Sequence, residues 1–201
     1  MLPAFYDKNK TEAGCDEAGR GCLAGPVVAA CVILPKDFYH KDLNDSKKIP
    51  QKKRNELRVF IEKNALAFNV AFIDNKIIDK INILNASFLA MNEAVRKIEI
   101  TPELLLIDGN RFKNNTNIPY ICIVKGDGKY ASIAAASILA KTYRDEFMNS
   151  LHNQYPMYNW KQNKGYPTKS HISAISKYGI TPYHRKTFNY CHPTLFDNLN
   201  Q

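Results

Sequence analysis

The sequence predicts an α/β fold, a mixed sheet flanked by helices, with a helical segment at its C-terminal end. Three observations carry this. The run PVVAACVILP is β-branched and closed at both ends by Pro26 and Pro35, as a strand is. LLLID, Leu104 to Asp108, is a continuous apolar run of strand length, the form of a central strand covered on both faces. Ile78, Ile81, Leu84, Phe88, Met91 and Val95 recur at three- and four-residue steps, which is one apolar stripe on a helix.

In chain order, residues 12–34 hold two apolar stretches, and an antiparallel meander is the simplest link between them. The polar residues 40–53 read as a loop running into a helix from about Pro50 to Lys63, followed by a strand at Leu66–Ile73. Residues 75–98 form a helix or a pair of helices. After LLLID, IPYICIV (118–124) repeats the strand form and leads into KGDGK. ASIAAASILAK begins a helix reaching about Leu151, and its small residues allow close approach to a sheet. The last fifty residues are aromatic, basic and proline-punctuated, with one helix from Thr168 to Lys177 stopped by Gly179 and Pro182. Residues 1–150 are therefore read as the main domain and residues 151–201 as a helical and loop extension.

At 201 residues the chain supports one full hydrophobic core. Lys plus Arg number 28 against 19 Asp plus Glu, a net charge of +9 that favours a polyanionic partner such as nucleic acid. No window reaches the roughly 18 apolar residues of a membrane span, and the first residues lack a signal-peptide core, so a cytoplasmic protein is expected. Five cysteines without a C-x-x-C give neither a disulfide framework nor a thiolate zinc site.

Four acidic residues stand out by position. Asp16 and Glu17 lie in the first strand, Asp108 ends the central strand, and Asp127 follows the next one. The ends of sheet strands are where α/β folds place their sites. Each residue also has a plain structural reading: Asp108 as a turn former before Gly109, Asp127 as a helix cap, Glu17 as a surface charge. Together they form an oxygen-only donor set suited to Mg²⁺ or Mn²⁺ rather than zinc. Adjacent residues on a regular strand point to opposite faces, so Asp16 and Glu17 reach one site only through a bulge or a backbone carbonyl.

With CDEAGRGCLAGPVVAA (15–30), NDSKK (44–48), INILNASFLAMNEAV (81–95), LLIDGN (105–110), KGDGKYASIAAASILAKTYRD (125–145), NKGYPTKSH (163–171) and TPYHRKTF (181–188), the chain resembles the bacterial type 2 ribonucleases H, ribonuclease HII. Several separate blocks in order make the likeness specific. Pro167 departs from the glycine usual there.

The resemblance implies an RNase H-like sheet and a metal-dependent endonuclease. It would cut the RNA strand of RNA/DNA hybrids and incise 5′ of ribonucleotides embedded in duplex DNA, leaving 3′-hydroxyl and 5′-phosphate ends. It places the metal ligands on Asp16, Glu17, Asp108 and Asp127, with two Mg²⁺ or Mn²⁺ ions in the substrate complex. It places substrate contacts on Gly19, Arg20, Gly21, Lys47 and Tyr166. The glycines beside Arg20 would let the backbone approach a 2′-hydroxyl, Lys47 would neutralise phosphate, and Tyr166 would pack on the sugar after the ribonucleotide. A monomer acting on nucleic acid, away from membranes, is expected. Two other classes share some of these features: a structure-specific two-metal nuclease without a ribose reader, and a non-catalytic nucleic-acid-binding module. Asp145, one turn after Lys141, reads as a surface ion pair, and the histidines at 152, 171, 184 and 192 lack zinc-ligand spacing.

Overall fold

A computed structural model describes residues 2–44, 46 and 49–190. Five strands form one sheet in the order β3-β2-β1-β4-β5. Strands β1 (Glu12–Ala18), β2 (Val27–Ile33) and β3 (Ala67–Ile73) form the expected antiparallel meander. Strands β4 (Leu104–Asp108) and β5 (Tyr120–Ile123) run parallel to β1. Their carboxyl ends therefore emerge on one side of the sheet.

Helix α1 (Gln51–Asn64) begins directly after Pro50. The apolar stripe of residues 75–98 is two helices, α2 (Asn75–Ile81) and α3 (Ile83–Arg96). Asn82 separates them with φ 66°, and its side chain caps α3 by accepting from the Asn85 amide at 3.0 Å. Helix α4 extends from Ala131 to Gln154, three residues beyond the expected end and across the boundary drawn at 150. Short α5 (Trp160–Asn163) and the 3₁₀ turns at Gly126–Gly128 and Pro156–Tyr158 were not legible as periodic patterns. Helix α6 (Lys169–Tyr178) is capped by Thr168 and ends at Gly179, whose φ of 77° suits glycine.

Strand alternation divides the core. Odd residues such as Ala13, Cys15, Ala29 and Cys31 pack with Ala86, Ala90 and Met91 of α3. Even residues such as Ala30 and Val32 pack with Leu57 and Ile61 of α1 and with Ala134, Ala135 and Ile138 of α4. The alanine-rich start of α4 lies against β1 so closely that a Cβ on Gly14 would sit 2.2 Å from the Ser132 carbonyl carbon. Small residues on both elements make that approach possible. A third cluster joins Leu23 and Ala24 to Met148 and Leu151 of α4 and to Trp160, Ala174 and Ile175. The C-terminal segment is thereby packed onto the loop after β1.

Candidate metal and nucleic-acid site

The parallel pairing of Cys15 with Ile107, and of Asp108 with Ile123, brings Asp16, Asp108 and the turn holding Asp127 to one end of the sheet. Asp16 and Asp127 are buried, and Asp108 is half-buried. The Gly126 amide donates to Asp108 Oδ1 at 2.7 Å, which fixes the Asp127 turn beside the end of β4. Asp127 does not cap α4, whose preceding residue is Tyr130. The β1–β2 ladder runs from Ala13↔Ile33 to Ala18↔Val28 without an extra residue, so no bulge turns the acidic pair to one face. Asp16 meets Ser137 on the α4 side. Glu17 faces a cleft with Ser87, Phe88 and Met91 of α3, and Arg20 and Asp108 line the same cleft. Of the two routes for bringing both acids to one site, only the backbone carbonyl is compatible with this ladder.

Burial first, then the charges of Glu17 and Asp108, push the Asp16 carboxyl well above the usual carboxylate range. Hydrogen bonds from Ser137 and from the Glu17 amide, the latter 2.7 Å, oppose this. Among the described residues no three His, Cys, Asp or Glu side chains are drawn together as a ready metal cage. The carboxylates take other partners: Glu17 pairs with Arg20 at 3.0 Å, and Asp108 with the Gly126 amide. The charges of Glu17 and Asp108 disfavour ionisation of Asp16, and a divalent cation would relieve that repulsion. An oxygen-only set with one strongly disfavoured charge fits Mg²⁺ or Mn²⁺.

The Gly-Arg-Gly turn leaves the end of β1 directly. Gly19 has φ 95°, and a Cβ there would meet Arg144 Nε at 2.0 Å, so the fold itself demands this glycine. Among the described residues, its two chain neighbours aside, nothing lies within 4 Å of a Cβ on Gly21. Arg144 and Arg185, both fully buried, hold the segment from Gly19 to Pro26 by its carbonyls. Sequence reasoning missed both arginines, since a buried guanidinium bonded to main chain leaves no periodic or motif signal.

Tyr166 sits on a loop seated against the same segment, with the Leu23 amide donating to Gly165 O at 2.7 Å. The residue is 39% exposed, enough to meet a ligand. Lys141 stands 5.8 Å over the Tyr166 ring and pairs with Asp145 at 2.7 Å. Asp145 is buried, so this is not the surface pair expected. The Tyr166 carbonyl accepts from Thr168 N at 2.8 Å and lies 2.9 Å from His171 Nδ1. His171 Nε2 faces Trp160 Nε1 at 3.0 Å and His184 Nε2 at 3.3 Å, and the Thr181 amide donates to His184 Nδ1. These partners are those of neutral histidines, with His171 protonated on Nδ1 and its single Nε2 lone pair shared between Trp160 Nε1–H at 3.0 Å and His184 Nε2–H at 3.3 Å. His171 and His184 thus hold the Tyr166 loop in place. Lys47 lies outside the described residues. Ser46 Oγ is 2.9 Å from Ser137 Oγ, which ties residue 46 to the helix that touches Asp16.

A mixed sheet of this order, with acidic residues gathered at the ends of its parallel strands and a long helix against them, defines an enzyme of the RNase H-like fold. The family model for ribonuclease HII matches residues 13–197. Ribonuclease HII of Bacteroides thetaiotaomicron is 61% identical over 189 residues, 94% of each chain. The structure of the PCNA:RNase HII complex from Archaeoglobus fulgidus has a chain with TM-score 0.75 and 25% identity, over 93% of this chain and 99% of that one. Bst-RNase HIII in complex with Mn²⁺ shares the fold at TM-score 0.67 and 19% identity, over 84% of this chain and 63% of that one. The chain belongs to the ribonuclease HII family, and it is an endonuclease of the ribonuclease H type. Among the described residues no helix is long and apolar enough to cross a membrane.

Proposed function

We propose that this endonuclease uses divalent cations to cut the RNA strand of RNA/DNA hybrids and to incise 5′ of single ribonucleotides in duplex DNA. The observation that carries the reading is the cleft shared by Glu17, Arg20 and Asp108, which joins the acidic end of the sheet to the Gly-Arg-Gly turn. Chemistry and ribose recognition are then adjacent by construction. Asp16, Asp108 and Asp127 would hold the cations through their carboxylates, and Glu17 through its main-chain carbonyl. Two Mg²⁺ or Mn²⁺ ions would supply water activation and stabilisation of the leaving oxygen.

The residues of the chain do the rest. Gly21 leaves room for a sugar-phosphate backbone at the turn, and Arg20, which pairs with Glu17 in the free protein, would be available to a phosphate. Lys47 and the net charge of +9 draw in the duplex. The Tyr166 ring packs on the sugar following the ribonucleotide. Water adds to phosphorus, the bond to the 3′ oxygen of the preceding nucleotide breaks, and the products carry 3′-hydroxyl and 5′-phosphate ends. In this reading residues 151–201 serve substrate binding for the domain of residues 1–150, and the protein acts as a cytoplasmic monomer.

The test is cleavage of DNA duplexes with and without one ribonucleotide, in Mg²⁺, Mn²⁺ and chelator. Cutting only the ribonucleotide duplex, and only with metal, is expected. Equal cutting of both duplexes would instead mark a nuclease without a ribose reader. Tyr166→Ala is expected to lose roughly ten- to a hundredfold on a single embedded ribonucleotide, by analogy with aromatic stacking, and less on a long hybrid. Equal losses on both substrates would assign the tyrosine a structural role.

A further inference from the structure

The four-residue turn from Gly19 to Cys22 is tethered from beneath by one side chain. Arg185 Nη2 donates to Gly19 O at 2.7 Å, and its Nη1 donates to Arg20 O at 2.8 Å. The same guanidinium reaches Gly25 O at 3.0 Å and Pro26 O at 3.2 Å. Arg144 donates to Ala24 O and Pro26 O at 3.0 and 2.9 Å, and to Lys164 O at 2.9 Å on the loop that carries Tyr166. Both guanidiniums are fully buried, and burying a cation is costly unless its donors are used. Burial, then Arg144, lowers Arg185 to about 10, which still leaves it charged at neutral pH. A planar fork with five fixed donors can span these diverging carbonyls, whereas an ammonium cannot.

The direction of those bonds has a stereochemical result. No cis peptide occurs among the described residues, so every N–H lies opposite the carbonyl of its own peptide plane. With the carbonyls of Gly19 and Arg20 drawn inward to Arg185, the N–H groups of Arg20 and Gly21 are turned outward. Both residues are exposed, and a Cβ position on Gly21 is clear for 4 Å. The turn therefore offers two adjacent donors to the solvent side and turns the carbonyls of Gly19 and Arg20 away from it.

We propose that Arg185, with Arg144 beside it, is the positioning residue that sets these two peptide planes, so that the turn reads the ribose 2′-oxygen as a hydrogen-bond acceptor. This rests on the ribose-reading function above and specifies its chemistry. Arg144 adds a second constraint: it locks the turn to the Tyr166 loop, so the hydroxyl reader and the sugar-packing ring keep a fixed separation.

Two measurements test it. Arg185→Lys keeps the charge but not the fork. Its kcat on the single-ribonucleotide duplex is expected to fall about tenfold or more, while its affinity for an all-DNA duplex, set by phosphate contacts, stays within about twofold. In the full-length protein bearing only Asp108→Asn, to prevent cutting, the Arg20 and Gly21 amide NMR signals are expected to shift more with the ribonucleotide duplex than with all-DNA duplex. The second measurement holds even if Arg185→Lys fails to fold. A wild type that does not distinguish the two duplexes overturns the ribose-reading function itself. If wild type distinguishes them, unmoved amides, or a folded Arg185→Lys that cuts at the wild-type rate, overturn the role given to Arg185.

Discussion

Replacing Gly14 by alanine would place a methyl group where α4 meets β1. The added Cβ would lie 2.2 Å from Ser132 C, 2.3 Å from Ile133 N and 2.5 Å from Ser132 O, all of them main-chain atoms. Ordinary contact begins at 3.4 Å, so helix and strand must separate by at least 3.4 − 2.2 = 1.2 Å. No side-chain rotation can absorb this. Overpacking of a tight core costs about 1–3 kcal/mol, and a backbone clash belongs at the upper end. For a chain of this size about 3 kcal/mol lowers Tm by roughly 6–12 °C. The displacement would also carry Ser137 away from Asp16, and a shift near 1 Å in an active site costs on the order of a hundredfold in rate. Thermal melts and single-turnover cleavage of a ribonucleotide duplex check both numbers. A Gly14→Ala protein with wild-type Tm and rate would show that α4 does not position the acidic site.

Asp108→Asn keeps the bond from the Gly126 amide but removes one ligand charge, so cleavage should be nearly abolished while the fold is retained. Divalent metal should raise the Tm of wild type more than that of the variant, and equal rises would remove Asp108 from the metal site. The buried histidine pair gives a pH effect of definite sign. His184 is lowered from 6.5 to about 4 by burial first and by His171 next, and burial lowers His171 as well. The unfolded chain therefore takes up protons that the folded one refuses. The stability from this pair is whole above pH 6.5 and falls as pH drops toward about 4, for His184 by about 3 kcal/mol in total. Urea titrations at pH 7 and 4.5 should show a smaller loss for His184→Gln than for wild type, and equal losses would contradict the neutral pairing.

The sheet was legible because its strands are short apolar runs with clear breaks, and α4 because alanine and serine at close spacing have one packing use. Asp16 and Glu17 stood out because they interrupt an apolar strand, Asp108 because it ends one, and Asp127 because it follows the next. What escaped is nonperiodic. The 3₁₀ turn holding Asp127 and the four-residue α5 are too short to show a period. Arg144 and Arg185 look like surface charges in a basic chain, and only the folded main chain reveals what they bind. The histidines at 171 and 184 lack ligand spacing because they bond each other and the Tyr166 carbonyl. Gly19 and Gly21 look equivalent in sequence, yet Gly19 answers to Arg144 and Gly21 to open space.

The bond from Arg185 to Gly19 closes a loop of 166 residues. A contact of such sequence separation makes the shape of the turn depend on a residue from the far end of the described chain, at a closure entropy that grows only slowly with loop length. The acids at 16 and 108 are brought together by neighbouring strands, whereas the turn at 19–22 gains its shape only when the C-terminal segment docks. A chain made from its N-terminus therefore holds every residue of the acidic end before it holds the arginine that fixes the turn. On the proposed reading, loosening the segment around residue 185 would cost the distinction between ribose and deoxyribose while leaving the acids in place.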